Sequence, residues 1–157
     1  MSSTVNFESS ALTSPSGVTG TFNFTLRRFG RSYVPLECLD DDGDGDGYAF
    51  YPADWFSFAL TSRSFSGPGL ATQTWNYAYS PAYASWSSSC SGGCTSEVWT
   101  DATAPDGTRQ HTVFSNRFGE SDSRLVREET YNASSVLQRT VNHEYASLAY
   151  TPRTGPM

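Results

Sequence analysis

The stretch 95–146 constrains the fold more than any other part of the chain. It reads TSEVWTDATAPDGTRQHTVFSNRFGESDSRLVREETYNASSVLQRTVNHEYA. Polar and apolar residues interleave along it. Turn signals interrupt it at Pro105-Asp106-Gly107, at 116–122 and at Asn132-Ala133-Ser134. An alternation of period two sends successive side chains to opposite faces of a strand. Four strand-like runs between short turns therefore predict an antiparallel β-meander.

The rest of the chain reads the same way. After Pro15-Ser16-Gly17, the run Thr21-Phe22-Asn23-Phe24-Thr25-Leu26-Arg27 alternates cleanly. Phe22, Phe24 and Leu26 share one face and are expected in the main core. Thr21, Asn23, Thr25 and Arg27 share the other, expected to be solvated. Arg28-Phe29-Gly30 closes this strand, and 32–39 is a second extended run. Asp54 is placed to cap a single helical turn through Trp55, Phe56 and Phe58. The runs 60–66 and 72–80 flank Gly67-Pro68-Gly69, a hairpin signal. Residues 81–94 read as loop. The predicted fold class is all-β: antiparallel hairpins in a meander, forming a twisted sheet.

The chain also echoes itself. Pro15-Ser16-Gly17, Phe24 and Arg28-Phe29-Gly30 recur as Pro105-Asp106-Gly107, Phe114 and Arg117-Phe118-Gly119. Further on, Thr74-Trp75-Asn76-Tyr77-Ala78-Tyr79 aligns with Thr140-Val141-Asn142-His143-Glu144-Tyr145. The interval from Gly30 to Asn76 is 46 positions and that from Gly119 to Asn142 is 23, so the first unit carries about 23 more. Repeated units of this kind stack to bury a face that one unit cannot bury alone. The expected organisation is an N-terminal extension over 1–14, one β-rich region over 15–150 with units at 15–80 and 105–146, and a tail over 151–157.

Charge excludes some functions. The formal net charge is −6, whereas a nucleic-acid binder needs basic surface to neutralise phosphates. Only Arg27, Arg28 and Arg31 cluster. No apolar run approaches the roughly 20 residues needed to span a bilayer, so no membrane insertion is expected. The start, MSSTVNFESS, has neither a basic region nor an apolar core, so no signal peptide is visible.

Candidate sites are few. The loop Asp40-Asp41-Asp42-Gly43-Asp44-Gly45-Asp46-Gly47 offers Asp40, Asp42, Asp44 and Asp46 as hard oxygen ligands for calcium. The twelfth position of the two calcium-loop registers is Tyr51 or Ala53 rather than an acid, and a solvated acidic turn is the alternative. Cys90 and Cys94 frame Ser-Gly-Gly, whose glycines permit the tight reversal a local disulfide needs. Two free thiols, or a metal shared with His111 and His143, are the other readings. Cys38 reads as a small buried apolar residue. Trp75, Tyr77 and Tyr79, with Tyr83 and Trp86, offer a sugar-stacking platform or a sheet face covered by neighbours. No nucleophile has a recognisable elbow around it, and Glu128 and Glu129 point to opposite faces. No catalytic residue is predicted.

Several phrases resemble bacterial RHS/YD-repeat proteins. They are Ala104-Pro105-Asp106-Gly107-Thr108, Phe114-Ser115-Asn116-Arg117-Phe118-Gly119, Arg124-Leu125-Val126-Arg127-Glu128-Glu129, and Ser66-Gly67-Pro68-Gly69-Leu70 leading to Trp75-Asn76-Tyr77-Ala78-Tyr79-Ser80. The resemblance covers roughly residues 12–150. It is similar to the divergent segment that precedes the regular repeats in such proteins, and the regular Tyr-Asp signature is absent, since Ser80 follows Tyr79 and Ala146 follows Tyr145. The resemblance implies a β-sheet ribbon spiralling into a hollow shell that encloses or displays a toxin or cell-surface module. It implies a secreted or cell-surface setting, with neighbouring repeats of a longer chain or an enclosed toxin as partners. No catalytic residue of the family maps here. The alternative function is a stand-alone β-sheet binding module, for carbohydrate or protein, using the aromatic face.

Overall fold

The computed structural model describes residues 7–35, 51–119 and 121–146. The candidate calcium ligands Asp40, Asp42, Asp44 and Asp46, and Cys38, lie outside these residues. Eight strands form a single antiparallel sheet. They are β1 (Phe7–Thr13), β2 (Thr19–Gly30), β3 (Asp54–Gly67), β4 (Leu70–Tyr79), β5 (Glu97–Thr103), β6 (Arg109–Ser115), β7 (Leu125–Tyr131) and β8 (Leu137–Asn142). Their spatial order is their chain order. The chain is thus an all-β meander, and the only helical element described is one 3-10 turn, Ser87–Ser89. The sheet is open. Among the described residues, β1 and β8 each pair on one side only.

Three hairpins close with the same turn. In 14–18, 104–108 and 132–136 the first residue's N–H donates to the fifth residue's carbonyl, and the fourth residue's N–H donates to the first residue's carbonyl. The fourth position needs a left-handed backbone, which glycine adopts without strain. It is Gly17 (φ +80°), Gly107 (φ +82°) and Ser135 (φ 60°). The turns also sit side by side in pairs. A Cβ on Gly17 would lie 3.4 Å from Pro68, and one on Gly107 would lie 2.9 Å from the Ala133 Cβ. The turn of β1–β2 therefore abuts that of β3–β4, and the turn of β5–β6 abuts that of β7–β8.

The sheet splays in its middle. β4 pairs with β3 from Leu70 to Asn76, then with β5 from Asn76 to Tyr79. Among the described residues the first half of β3, Asp54 to Leu60, pairs only with β2. A bulge accompanies the change: between Asn23 and Phe24 the register skips Thr61 on β3. The Tyr79 hydroxyl spans the opening and donates to the Leu60 carbonyl at 2.8 Å.

The tightest packing lies at the end where the loops gather. Ser32 bridges to Arg117 and Val34 to Trp86, both in parallel, so 31–34 threads between two other loop segments. Ser32 and Val34 are fully buried, with Ser80, Cys90, Ser115 and Asn116 nearly so. Polar groups buried this deeply need partners. The Ser32 amide donates to the Asn116 carbonyl at 2.8 Å, and the Ser80 amide to the Trp99 carbonyl at 3.0 Å. Cys90 and Cys94 are joined as a disulfide. The Tyr33 hydroxyl accepts from the Cys94 amide at 3.0 Å and holds that loop against the thread.

Four expectations are corrected. Part of the stretch 1–14 is not an extension, because Phe7–Thr13 is hydrogen-bonded to β2 as an edge strand. Asp54 caps no helical turn: it begins β3, and Trp55, Phe56 and Phe58 lie in that strand opposite Phe29, Arg28 and Leu26. Pairing with β2 outweighs the local capping signal. Within the run 32–39, the described residues make isolated bridges rather than a strand. The face carrying Phe22, Phe24 and Leu26 is not the main core. Phe22 and Phe24 are half-buried and Leu26 is 42% exposed, because among the described residues no second layer covers this face. The opposite face, expected to be solvated, pairs Thr25 with the buried Ala59 and carries Arg27 and Phe29 into a cleft.

Candidate functional site

The splay leaves a cleft of about 320 Å³. One wall is the end of β2 and the start of β3. The other is formed by β5, β6 and the loops after β4 and β6. Alternation along β2 sends Arg27 and Phe29 to the same side. There Phe29 stacks on Trp55, with ring centroids 6.3 Å apart, and meets Tyr79 edge-on at 6.4 Å. Val98 and Phe114, cross-strand partners on β5 and β6, face them. Gly30 lets the loop after β4 approach. A Cβ there would lie 2.7 Å from the Ala82 carbonyl oxygen and 2.7 Å from the Ala84 Cβ.

Three arginines meet at this end in different ways. Arg28 pairs with Asp54. Arg31 lies over the Trp55 ring at 4.9 Å and pairs with Asp122 at 2.5 Å. Arg27 has no carboxylate partner among the described residues. Its guanidinium lies 5.1 Å from the Tyr79 ring centroid and 5.9 Å from that of Phe29, and donates to the Ser80 carbonyl. Burial lowers the Arg27 pKa and raises that of the Tyr79 hydroxyl.

A second polar cluster spans β5, β6 and β7. The register sets Asp101 opposite His111, and His111 opposite Glu129. His111 Nδ1 lies 2.6 Å from Asp101 Oδ1, and Arg109 Nη1 donates to Asp101 Oδ2 at 3.1 Å. The Tyr131 hydroxyl donates to Glu129 Oε2 at 2.6 Å, and Arg127 lies 2.8 Å from the other oxygen. The Tyr131 hydrogen bond, aided by Arg127, holds the Glu129 carboxyl below its ordinary range, and Glu129 in turn pushes the Tyr131 hydroxyl up. On the other face His143 lies 3.1 Å from Glu128. The Asp101 and Glu129 carboxylates are matched within this cluster by Arg109 and Arg127. No Ser, Thr or Cys side chain hydrogen-bonds to either histidine among the described residues, so neither completes a nucleophile–base pair. No group of three or more His, Cys, Asp or Glu side chains is disposed to hold a metal among the described residues.

The aromatic stripe is half-buried and largely occupied by the chain itself. Trp75 meets Phe65 edge-on at 5.8 Å and carries the Arg63 guanidinium over its ring at 4.9 Å. Tyr79 turns into the cleft, and Tyr77 lies between them on β4. Trp86 sits apart, bridged to Val34. Sequence reasoning missed the cleft, because it joins residues far apart in the chain. The one local trace was an arginine inside an alternating apolar strand. No family model, curated protein or solved structure matches the chain.

Proposed function

We propose that this chain is a wall segment of a longer RHS/YD-repeat-like protein, building a β-sheet shell that encloses or displays a toxin or cell-surface module. The observation that supports this reading most is the pair of open edges. β1 and β8 leave a row of backbone donors and acceptors unpaired among the described residues. Such edges invite further strands, and a self-contained domain covers or closes them. The thin core agrees. Only Val34, Ala53, Ala59, Cys90 and Val113 are buried apolar residues among those described. Leu26, Phe56 and Phe58 form an adjacent apolar patch on one face, 42%, 65% and 48% exposed. In a shell that patch is the inner surface, covered by neighbouring wall or cargo. The role is structural, and the setting is the cell surface or the secreted fraction.

Amide hydrogen exchange tests this. In the isolated chain, β1 and β8 are expected to exchange far faster than β5 and β6. Joined to its flanking repeats, the same edges become protected. A monomeric isolated chain with edges as protected as its central strands would overturn the reading in favour of a self-contained binding module.

A further inference from the structure

The splayed cleft is built like a small-molecule site and, among the described residues, holds a cation with no carboxylate partner. Its volume, about 320 Å³, lies at the lower end of the roughly 300–1,000 Å³ usual for ligand pockets. That suits a single-ring molecule better than an extended chain. Such pockets pair an apolar lining with a few convergent polar groups. Here the lining is Phe29, Trp55, Tyr79, Val98 and Phe114, with Arg27 among them.

Charge fixes the sign of the ligand. Asp122 also reaches the cleft but is matched by Arg31, and Asp54 is matched by Arg28. Among the described residues Arg27 is left as the surplus cation. Of its several N–H donors only the one bonded to the Ser80 carbonyl has an acceptor among the described residues. A guanidinium presents a planar fork that fits a carboxylate with two parallel hydrogen bonds. A charge held in apolar surroundings is costly unless it is paired. One cation balances one negative charge. A phosphate dianion would bring a second charge into the same apolar space unmatched, so a monoanion fits better. The planar Phe29–Trp55 stack and the Tyr79 ring favour a flat apolar body.

We infer that this cleft binds a small aromatic carboxylate, its carboxyl group held by the Arg27 guanidinium and its ring packed among Phe29, Trp55 and Tyr79. The inference is independent of the shell reading, because every residue it uses lies within one chain.

Trp55 and Trp99 line the cleft and report on it by fluorescence. The test titrates the whole chain at neutral pH with phenylacetate and benzoate, and in parallel with phenylacetamide, the neutral isostere. At least one acid should give a saturable change, with the amide about tenfold weaker or worse, as expected for loss of a charge-assisted hydrogen bond. Arg27→Gln should abolish the preference for acid over amide. Should that variant fail to fold, judged by far-ultraviolet dichroism, Val98→Phe serves instead: it fills the cleft, leaves Arg27 in place and should remove the response. Equal affinity for acid and amide, a saturable response that survives Val98→Phe, or a flat response to both acids would each overturn the inference.

Discussion

Gly30 shows how one residue places the cleft end of the molecule. It is the last residue of β2, and the Ala82 carbonyl oxygen lies 2.7 Å from where a Cβ would sit, with the Ala84 amide nitrogen at 2.9 Å. Backbone cannot swing aside as a flexible side chain can. Gly30→Ala should therefore lower stability by about 1–3 kcal/mol, the usual range for overpacking. Among the described residues nothing lies within 4 Å of where a Cβ on Gly92 would sit, so Gly92→Ala should change stability by no more than about 0.5 kcal/mol. Urea unfolding of the two variants checks the contrast. Glu129 and Tyr131 predict the pH response of β6–β7. Glu129 titrates below its ordinary value in the fold, so its contribution is present above about pH 4.3 and is lost as pH falls through the lower folded value. Tyr131 is raised, so its contribution holds below about pH 10 and is lost as pH rises through the higher folded value. Tyr131→Phe should flatten both limbs of the stability–pH profile. Limbs as steep as in the native chain would refute this pairing.

At the scale of elements, the turns were the most legible part of the chain. Pro-x-Gly at 15–17 and 105–107 marked two hairpins, and both place glycine at the left-handed position. The third turn was legible from Asn132-Ala133-Ser134 for another reason. The Asn132 side chain accepts from the amides of Ser134 and Val136, each at 3.0 Å, which is how asparagine mimics a backbone turn. Its left-handed position, however, holds Ser135. A residue with a Cβ is strained there by roughly 1–2 kcal/mol, partly offset by glycine's larger entropy loss of about 0.5–1 kcal/mol. Ser135→Gly should thus raise stability by about 0.5–1 kcal/mol, read as a shift in the denaturation midpoint at constant slope. A loss of stability would show that Ser135 makes a compensating contact. The start of β3 was not legible. Asp54 followed by Trp55 and Phe56 satisfies a capping rule locally, and only the partner strand, more than 20 positions earlier, decides for β. The bulge at Thr61 left no signal for a similar reason: it exists only relative to the facing strand.

At the scale of the molecule, alternation on β2 told which residues share a face but not which face is covered. That depends on where the sheet splays, which no local pattern encodes. So Arg27, on the face expected to be wet, lines the cleft, while Leu26, expected in the core, sits in an exposed patch with Phe56 and Phe58. The patch yields the prediction that bears most directly on function. If neighbouring wall or cargo covers it in the longer protein, the isolated chain gains little from it. Phe56→Ser with Phe58→Ser should then change the isolated chain's stability by no more than about 0.5 kcal/mol per site, as at other surface positions. It should also reduce concentration-dependent association, since an exposed apolar patch promotes sticking. Val113 is the contrast: it is 2% exposed, and Val113→Ala should cost about 2 kcal/mol through lost packing and the cavity left behind. On the shell reading the order changes once flanking repeats are joined to the chain: the paired serines should become as damaging as the Val113 change, because neighbouring wall or cargo would then bury the patch. Chemical denaturation with sedimentation measures both quantities. Should the serines cost the isolated chain as much as Val113→Ala, the patch is covered within this chain, and the single-wall picture fails.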